Sequence, residues 1–275
     1  MYLSNARRGH RSRWLVPALG AVLAAAALTA PAAALATNPT VTVRVEGESR
    51  TWLEPTTVTL GDGTAATTTW NNVGSMPETC PNDSAYAAIE KATQGNWDRG
   101  YWTLEMFGET HDFSGPLQDY WVDYYDNDYA SVVPCGQTMQ DGDTILMQAA
   151  PSGPSPDWVP ASVPLEISAP SSVIAGTPFN VHVDAWVPPT TNPNGSGIVP
   201  ASVVQDAAGY DVGRQTSTSS MPSTALDTTD SGGDATITLS TTGWQTVVVY
   251  NTTDASNWGR VKARICVKAT PLSTC

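Results

Sequence analysis

A two-residue alternation of apolar and polar side chains recurs along most of this chain, while a helical period is found in one short stretch. Val41, Val43 and Val45 begin the pattern, and Phe179, Val181, Val183, Ala185 and Val187 carry it over a long run. Val203-Val204, then Ala235, Ile237 and Leu239, then Val247 and Val249, then Val261, Ala263, Ile265 and Val267 continue it. Side chains at i and i+2 share a face only in an extended strand, so these segments predict half-buried β-structure. With 22 glycines and 21 prolines to turn the chain, the predicted class is mostly β.

The first 36 residues stand apart. Arg7, Arg8, Arg11 and Arg13 precede an apolar run from Trp14 to Leu28, and Ala34-Leu35-Ala36 has the small-x-small form of a cleavage site. This predicts a secretory signal over residues 1–36 and an extracellular, disulfide-permitting destination, with no membrane contact once the signal is removed. Removal takes four basic residues and no acid, leaving 9 basic against 26 acidic groups, net −17. So large an acid excess argues against nucleic acid or an anionic lipid surface and favours a neutral or cationic partner.

Residues 151–164, PSGPSPDWVPASVP, carry five prolines and read as a stiff linker. Residues 37–150 form the region before it and residues 165–275 the region after. In the first, Asp83 or Ser84 can cap a helix whose Ala85, Ala88, Ile89 and Ala92 share one face, with Gly95 at the C-terminal cap. Trp102, Leu104 and Met106 alternate, as do Tyr120, Val122 and Tyr124. Asp126-Asn127-Asp128 and Asp141-Gly142-Asp143 read as turns, the second leading into Thr144-Ile145-Leu146-Met147.

The order of these pieces carries a resemblance. A strand VTVRVEG is followed by a cysteine before an alanine-rich helix ending in Gly95-Asn96-Trp97. Gly108-Glu109, Tyr120-Trp121 with its polar hairpin, a second cysteine and Gly142-Asp143 come after. The whole first region resembles the small β-grasp-like domain at the C-terminus of transcobalamin and intrinsic factor, and a bacterial branch of that family of unknown function. The resemblance implies an α+β domain with one helix and a link to corrinoids. In that family the domain forms one side of the cobalamin site and a larger helical domain forms the other. Here the helical part is absent, so cobalamin is implied as a ligand by resemblance only. In the second region, TTDSGGDATITL from Thr228 to Leu239 resembles the turn-and-strand pattern of bacterial immunoglobulin-like domains and implies a β-sandwich.

Cys80, Cys135, Cys266 and Cys275 form no C-x-x-C pair, which argues against a zinc ribbon or a redox motif. Three connectivities are open. Cys80–Cys135 and Cys266–Cys275 are favoured because they keep each pair within one region. Cys266 is expected on the polar side of the last strand, opposite Ile265 and Val267.

Catalytic patterns are missing: no G-x-S-x-G elbow, H-E-x-x-H helix or P-loop occurs. After signal removal the histidines are His111 and His182. His182 alternates with Val181 and Val183 and reads as a surface residue. His111, with Glu109 and Asp112 nearby, could coordinate a metal, but a polar loop is the commoner explanation. Asp119, Asp123, Asp126 and Asp128 lack the spacing of a calcium loop, so no metal set is assigned. Tyr101, Trp102, Tyr120, Trp121, Tyr124, Tyr125 and Tyr129 crowd one stretch. They read either as core or as a ligand platform, with Tyr120, Trp121, Tyr124 and His111 the candidate ligand-binding residues. The sequence therefore predicts a secreted, non-catalytic binding or cell-surface interaction protein without a resident cofactor. Its expected partner is a small molecule, a glycan or a protein. Corrinoid binding is the alternative, and an extracellular hydrolase ranks below both.

Overall fold

A computed structural model describes residues 38–61, 65–69, 79–99, 103–114, 116–130, 133–152, 160–188, 201–216, 221–222, 224–252 and 257–275. The predicted signal, Tyr101, Trp102 and the middle of the proline-rich stretch lie outside them. Among the described residues the first region contains β1 (Thr40–Glu46), β2 (Thr51–Thr59), β3 (Ala65–Thr69), β4 (Thr79–Pro81), α1 (Ala85–Thr93), β5 (Glu105–Met106), β6 (Glu109–Thr110), β7 (Tyr120–Tyr125), β8 (Asp128–Tyr129) and β9 (Thr144–Ala150). The second contains β10 (Leu165–Ser168), β11 (Ser172–Ile174), β12 (Pro178–Val187), β13 (Val203–Asp206), β14 (Asp211–Gln215), β15 (Asp227–Thr228), β16 (Asp234–Thr238), β17 (Gly243–Tyr250) and β18 (Val261–Lys268). The described residues are mostly β with one helix, as the alternation predicts.

The first region is a mixed five-stranded sheet in the order β2-β1-β9-β7-β8, with β1 and β9 parallel at its centre. Flanking hairpins pair antiparallel, and one helix packs across one face, the β-grasp arrangement. Asp126 and Asn127 both have positive φ, 49° and 66°, the left-handed pair that a two-residue hairpin between right-twisted strands requires. At the start of β9 the Asp141-Gly142 turn is tied to β1 through Thr40 N donating to Asp141 Oδ1 at 2.9 Å and Gly142 N to Thr40 O at 2.9 Å. These bonds set the parallel register from Thr42↔Thr144 onward.

Ser84, not Asp83, caps α1, its hydroxyl accepting from Ala87 N at 3.3 Å. The left-handed C-cap is Gln94 at φ 55°, one residue earlier than the expected Gly95, which follows at φ 78°. Ala85, Ala88, Ile89 and Ala92 lie on the buried face as the spacing predicts, joined by Tyr86. The alternation expected around Leu104 and Met106 shortens to the two-residue strands β5 and β6.

The second region is a sandwich of two sheets. One has β10-β12-β13 with β16 also on β12; the other runs β11-β18-β17-β14-β15, with β11 parallel to β18. The alternating residues of β12, β16, β17 and β18 meet between the sheets in one apolar cluster. One expectation fails here. Val203 and Val204 do not join the core, because β13 is an exposed edge strand on which they are 56% and 47% accessible. Cys266 lies outside the apolar cluster that takes Ile265 and Val267, and its disulfide to Cys275 ties the tail to that face of β18.

The favoured disulfides form: Cys80–Cys135 and Cys266–Cys275, with sequence separations of 55 and 9. Loop-closure entropy gives about 4 kcal/mol for the longer ring and about 2.5–3 kcal/mol for the shorter. Cys80→Ala with Cys135→Ala should therefore lower unfolding free energy more than Cys266→Ala with Cys275→Ala. Denaturant melts of the two double variants measure this, and a larger loss from the tail pair would remove the entropic account.

A buried polar seam and the candidate ligand-binding cleft

β7 is the place to begin, since three of the four candidate ligand residues lie in or beside it. Alternation does put Tyr120, Val122 and Tyr124 on one face and Trp121 on the other, but neither face is free. Trp121 joins the helix-side core. Tyr120, Val122 and Tyr124 pack with Leu146 and Ala150 in a second cluster, and the Tyr124 hydroxyl donates to Ser162 O at 2.8 Å. Tyr120 stacks on the exposed Phe113 with ring centroids 4.8 Å apart. Of the two readings, core and open ligand platform, this packing favours core, because chain near Ser162 of the linker lies on the outer face of the sheet.

His111 is also buried, at 4% accessibility. It is held from both sides: Nε2 meets Glu109 Oε1 at 2.7 Å and Nδ1 meets Asp119 Oδ2. Two carboxylates on two ring nitrogens define an imidazolium donating both protons. The ring lies between Trp121 (centroids 5.3 Å) and Trp258 (5.5 Å), which belong to different regions of the chain. Glu109 also accepts from Glu48 N at 2.6 Å and from Trp52 Nε1. Asp112, weighed beside it from sequence, instead caps its own turn through Ser114 N at 3.0 Å. Burial pulls the His111 pKa down, but the bonds and charges of Glu109 and Asp119 outweigh it and leave it above 6.5. Burial pushes Glu109 up, and its bonds from His111, Glu48 N and Trp52 outweigh that and leave it below 4.5.

A second ionic contact continues this seam. Glu46 is 1% accessible and Arg260 3%, with Arg260 Nε 3.9 Å from Glu46 Oε2. Arg260 also donates from Nη2 to Glu48 O, and Thr51 Oγ1 donates to Glu46 Oε2 at 2.6 Å. Burial pushes the Glu46 carboxyl up, partly countered by Arg44 and Arg260. It pulls the Arg260 guanidinium down, partly countered by Glu46 and Glu109.

Arg260 is the first of three basic residues at two-residue spacing, Arg260, Lys262 and Arg264, interleaved with Val261, Ala263 and Ile265. In a strand that spacing sets one basic row against one apolar row. Lys262 Nζ donates to Glu54 Oε1, and Arg264 lies over the Trp244 ring at 4.5 Å. Together with Arg44 of β1, Lys262 and Arg264 line a cleft of about 530 Å³, to which Glu54, Gln215 and Thr246 also contribute. Three of the chain's 13 basic residues thus converge on one cleft of a strongly acidic chain, beside the carboxylates of Glu46 and Glu54. Such a site can hold an anionic group through Lys and Arg donors, with Gln215 and Thr246 as neutral hydrogen-bonding groups. The sequence reading used only the apolar half of this strand; the R-x-K-x-R spacing was the signal for the other half. Among known proteins, no family model and no curated sequence matches the chain.

Two expectations follow from the seam. The His111 contribution to stability is complete below its ordinary pKa of about 6.5 and lost as pH rises through the raised value. That of Glu109 is complete above about 4.5 and lost as pH falls through the lowered one. His111→Gln should therefore lower the thermal midpoint most between about pH 4.5 and 6.5, with the gap narrowing in alkali. A gap of constant size from acid to alkali would show that packing, not charge, holds His111. Separately, Glu46→Gln removes the ion-pair partner of the buried Arg260 and should cost about 3–5 kcal/mol, whereas Glu46→Leu with Arg260→Met should cost much less. Chemical denaturation of the two variants makes the comparison, and equal losses would refute an ionic joint.

Proposed function

We propose that this is a secreted, non-catalytic binding protein whose ligand seat is the cleft between β1–β2 and β17–β18. The resemblances read from the sequence give its two parts: a transcobalamin C-terminal-like domain and an immunoglobulin-like sandwich. The observation that carries the reading is the convergence of Arg44, Lys262 and Arg264 in a chain whose remainder is overwhelmingly acidic. The acid excess selects against polyanions over the surface at large, while in this cleft three basic groups outnumber the two carboxylates Glu46 and Glu54, which pair with Arg44 and Lys262 and leave Arg264 as the cation without a carboxylate in the lining. The ligand is accordingly a small or oligomeric molecule bearing a carboxylate or phosphate on a polar scaffold, such as an acidic cell-surface glycan. The covered faces of β7 move the ligand site away from Tyr120, Trp121 and Tyr124.

The corrinoid reading stays as the second one, supported by the β-grasp strand order that the transcobalamin resemblance implies. It requires the first region to offer a corrin a surface that the second region leaves open.

Titration of Trp244 fluorescence with a galacturonate oligomer, a glycerol phosphate oligomer and aquocobalamin separates these readings. The cleft reading expects saturation by an acidic oligomer, weakened at least about tenfold by Lys262→Gln with Arg264→Gln and weakened by salt, since each charge-assisted hydrogen bond contributes about 1.5–3 kcal/mol. Saturation that ignores both substitutions, or none at all, would sink it. A saturable cobalamin response would put the second reading first.

A further inference from the structure

The solvent face of the other sheet of the sandwich carries a separate constellation. In β12, His182 and Asp184 point to the same side, away from the core residues Val181, Val183 and Ala185. Two strands meet end to end along one edge of β12. β16 pairs with its first half, placing Asp234 opposite His182, and β13 with its second half, placing Asp206 opposite Asp184. On the other edge β10 puts Glu166 opposite Asp184. The junction depends on Gly233, at φ 74°: a Cβ there would lie 2.5 Å from Val183 O. The turn before it is fixed by Asp230, whose Oδ1 accepts from Gly232 N at 2.8 Å and Asp234 N at 3.1 Å. The Asp-Ser-Gly-Gly-Asp run thus delivers Asp234 to the imidazole.

Register therefore aligns Glu166, Asp184 and Asp206 across three strands, where like charges directly opposite are destabilising. Among the described residues, no lysine or arginine forms an ion pair with Asp184, Asp206 or Asp234. His182 Nδ1 lies 3.1 Å from Asp234 Oδ1, the distance of an ordinary N–H···O bond. With the proton on Nδ1, the Nε2 lone pair faces Asp184 Oδ1 at 3.3 Å and Asp206 Oδ1 at 3.9 Å. The Asp184 contact is a long hydrogen bond, beyond the about 2.7–2.9 Å of a strong charge-assisted one, and the Asp206 contact is beyond hydrogen-bond distance. The spacing instead suits a shared cation: atoms about 2.0–2.1 Å from a tetrahedral zinc lie about 3.3–3.4 Å from one another. The ligating atoms of His182, Asp184 and Asp206 all fall within 4.8 Å of one another, and the exposed Asp206 carboxylate can swing inward to close the remaining gap.

We propose that His182 Nε2, Asp184 and Asp206 bind a first-row divalent cation, with zinc as its representative, and that Asp234 is the positioning residue that fixes the imidazole tautomer. One imidazole with two carboxylates favours such a metal over calcium, which prefers a larger all-oxygen shell. The site lies on the sheet opposite the one that lines the cleft, so it stands or falls independently of the ligand proposed there.

The test uses the full chain after treatment with a chelator, titrated calorimetrically with Zn²⁺ alone and, in a second arm, with Ca²⁺. One equivalent of Zn²⁺ should bind, with binding lost in His182→Ala and in Asp184→Asn. In Asp234→Asn it should weaken about 10–100-fold, as for loss of an outer-shell carboxylate. Long-range ¹H–¹⁵N spectra should show Nδ1 of His182 protonated and Nε2 metal-bound. No saturable uptake at millimolar Zn²⁺, uptake unchanged in His182→Ala, or His182 resonances indifferent to Zn²⁺ would each overturn the proposal. Unchanged thermal melts of the metal-free variants establish that these surface substitutions leave the fold intact.

Discussion

Glu46 and Arg260 form the most deeply buried ion pair among the described residues, and it lies where the two regions meet. Each region has its own apolar cluster, and polar groups join them, Glu46, Glu48, Glu109 and His111 from one side and Arg260 from the other, with Trp258 packed beside them against the first cluster. A buried charge tolerates little displacement, because the penalty for desolvation is offset only while its partner stays close. A greasy interface of similar area could slide or rotate at modest cost. This joint accepts one arrangement, and the shape of the cleft beside it follows from that arrangement.

The basic row of β18 shows how one strand combines several roles. Val261 and Ile265 fill the sandwich, while the residues between them pass from dry to wet. Arg260 is sealed within the seam, Lys262 is half-paired with Glu54 at the cleft wall, and Arg264 reaches solvent over Trp244. The same residue type thus moves from joint to wall to recognition as exposure rises. Net charge hides this arrangement, since a chain average says nothing about where 13 cations are placed.

How much of this was legible in the sequence depends on range. Local features read well: the face of α1, the Asp126-Asn127 hairpin, the strand alternations and the cysteine pairs are set by neighbours or by a simple grouping of residues. What failed were inferences about what lies on top of a strand. Alternation put Tyr120 and Tyr124 on one face correctly, yet no periodicity records that chain near Ser162 lies across it. Val203 and Val204 look like core until β13 proves to be an edge. His111 carried the opposite lesson: its neighbours in sequence include Glu109, but Asp119 and Trp258 reach it through the fold, and they turn a loop histidine into a buried cation.

The central parallel pairing has a consequence for the order in which the chain can assemble. Thr42 pairs with Thr144, so β1 must wait for about a hundred residues before its inner neighbour exists, and hairpin formation with β2 leaves that inner edge open meanwhile. Glu46 waits longer still, until residue 260 is delivered. Contacts so distant in sequence carry a large loop-closure entropy and form late. A chain emerging from its N-terminus would hold an unpaired strand edge until β9 arrived and a hydrated Glu46 until residue 260 followed, so closing the seam is the later of two separate steps.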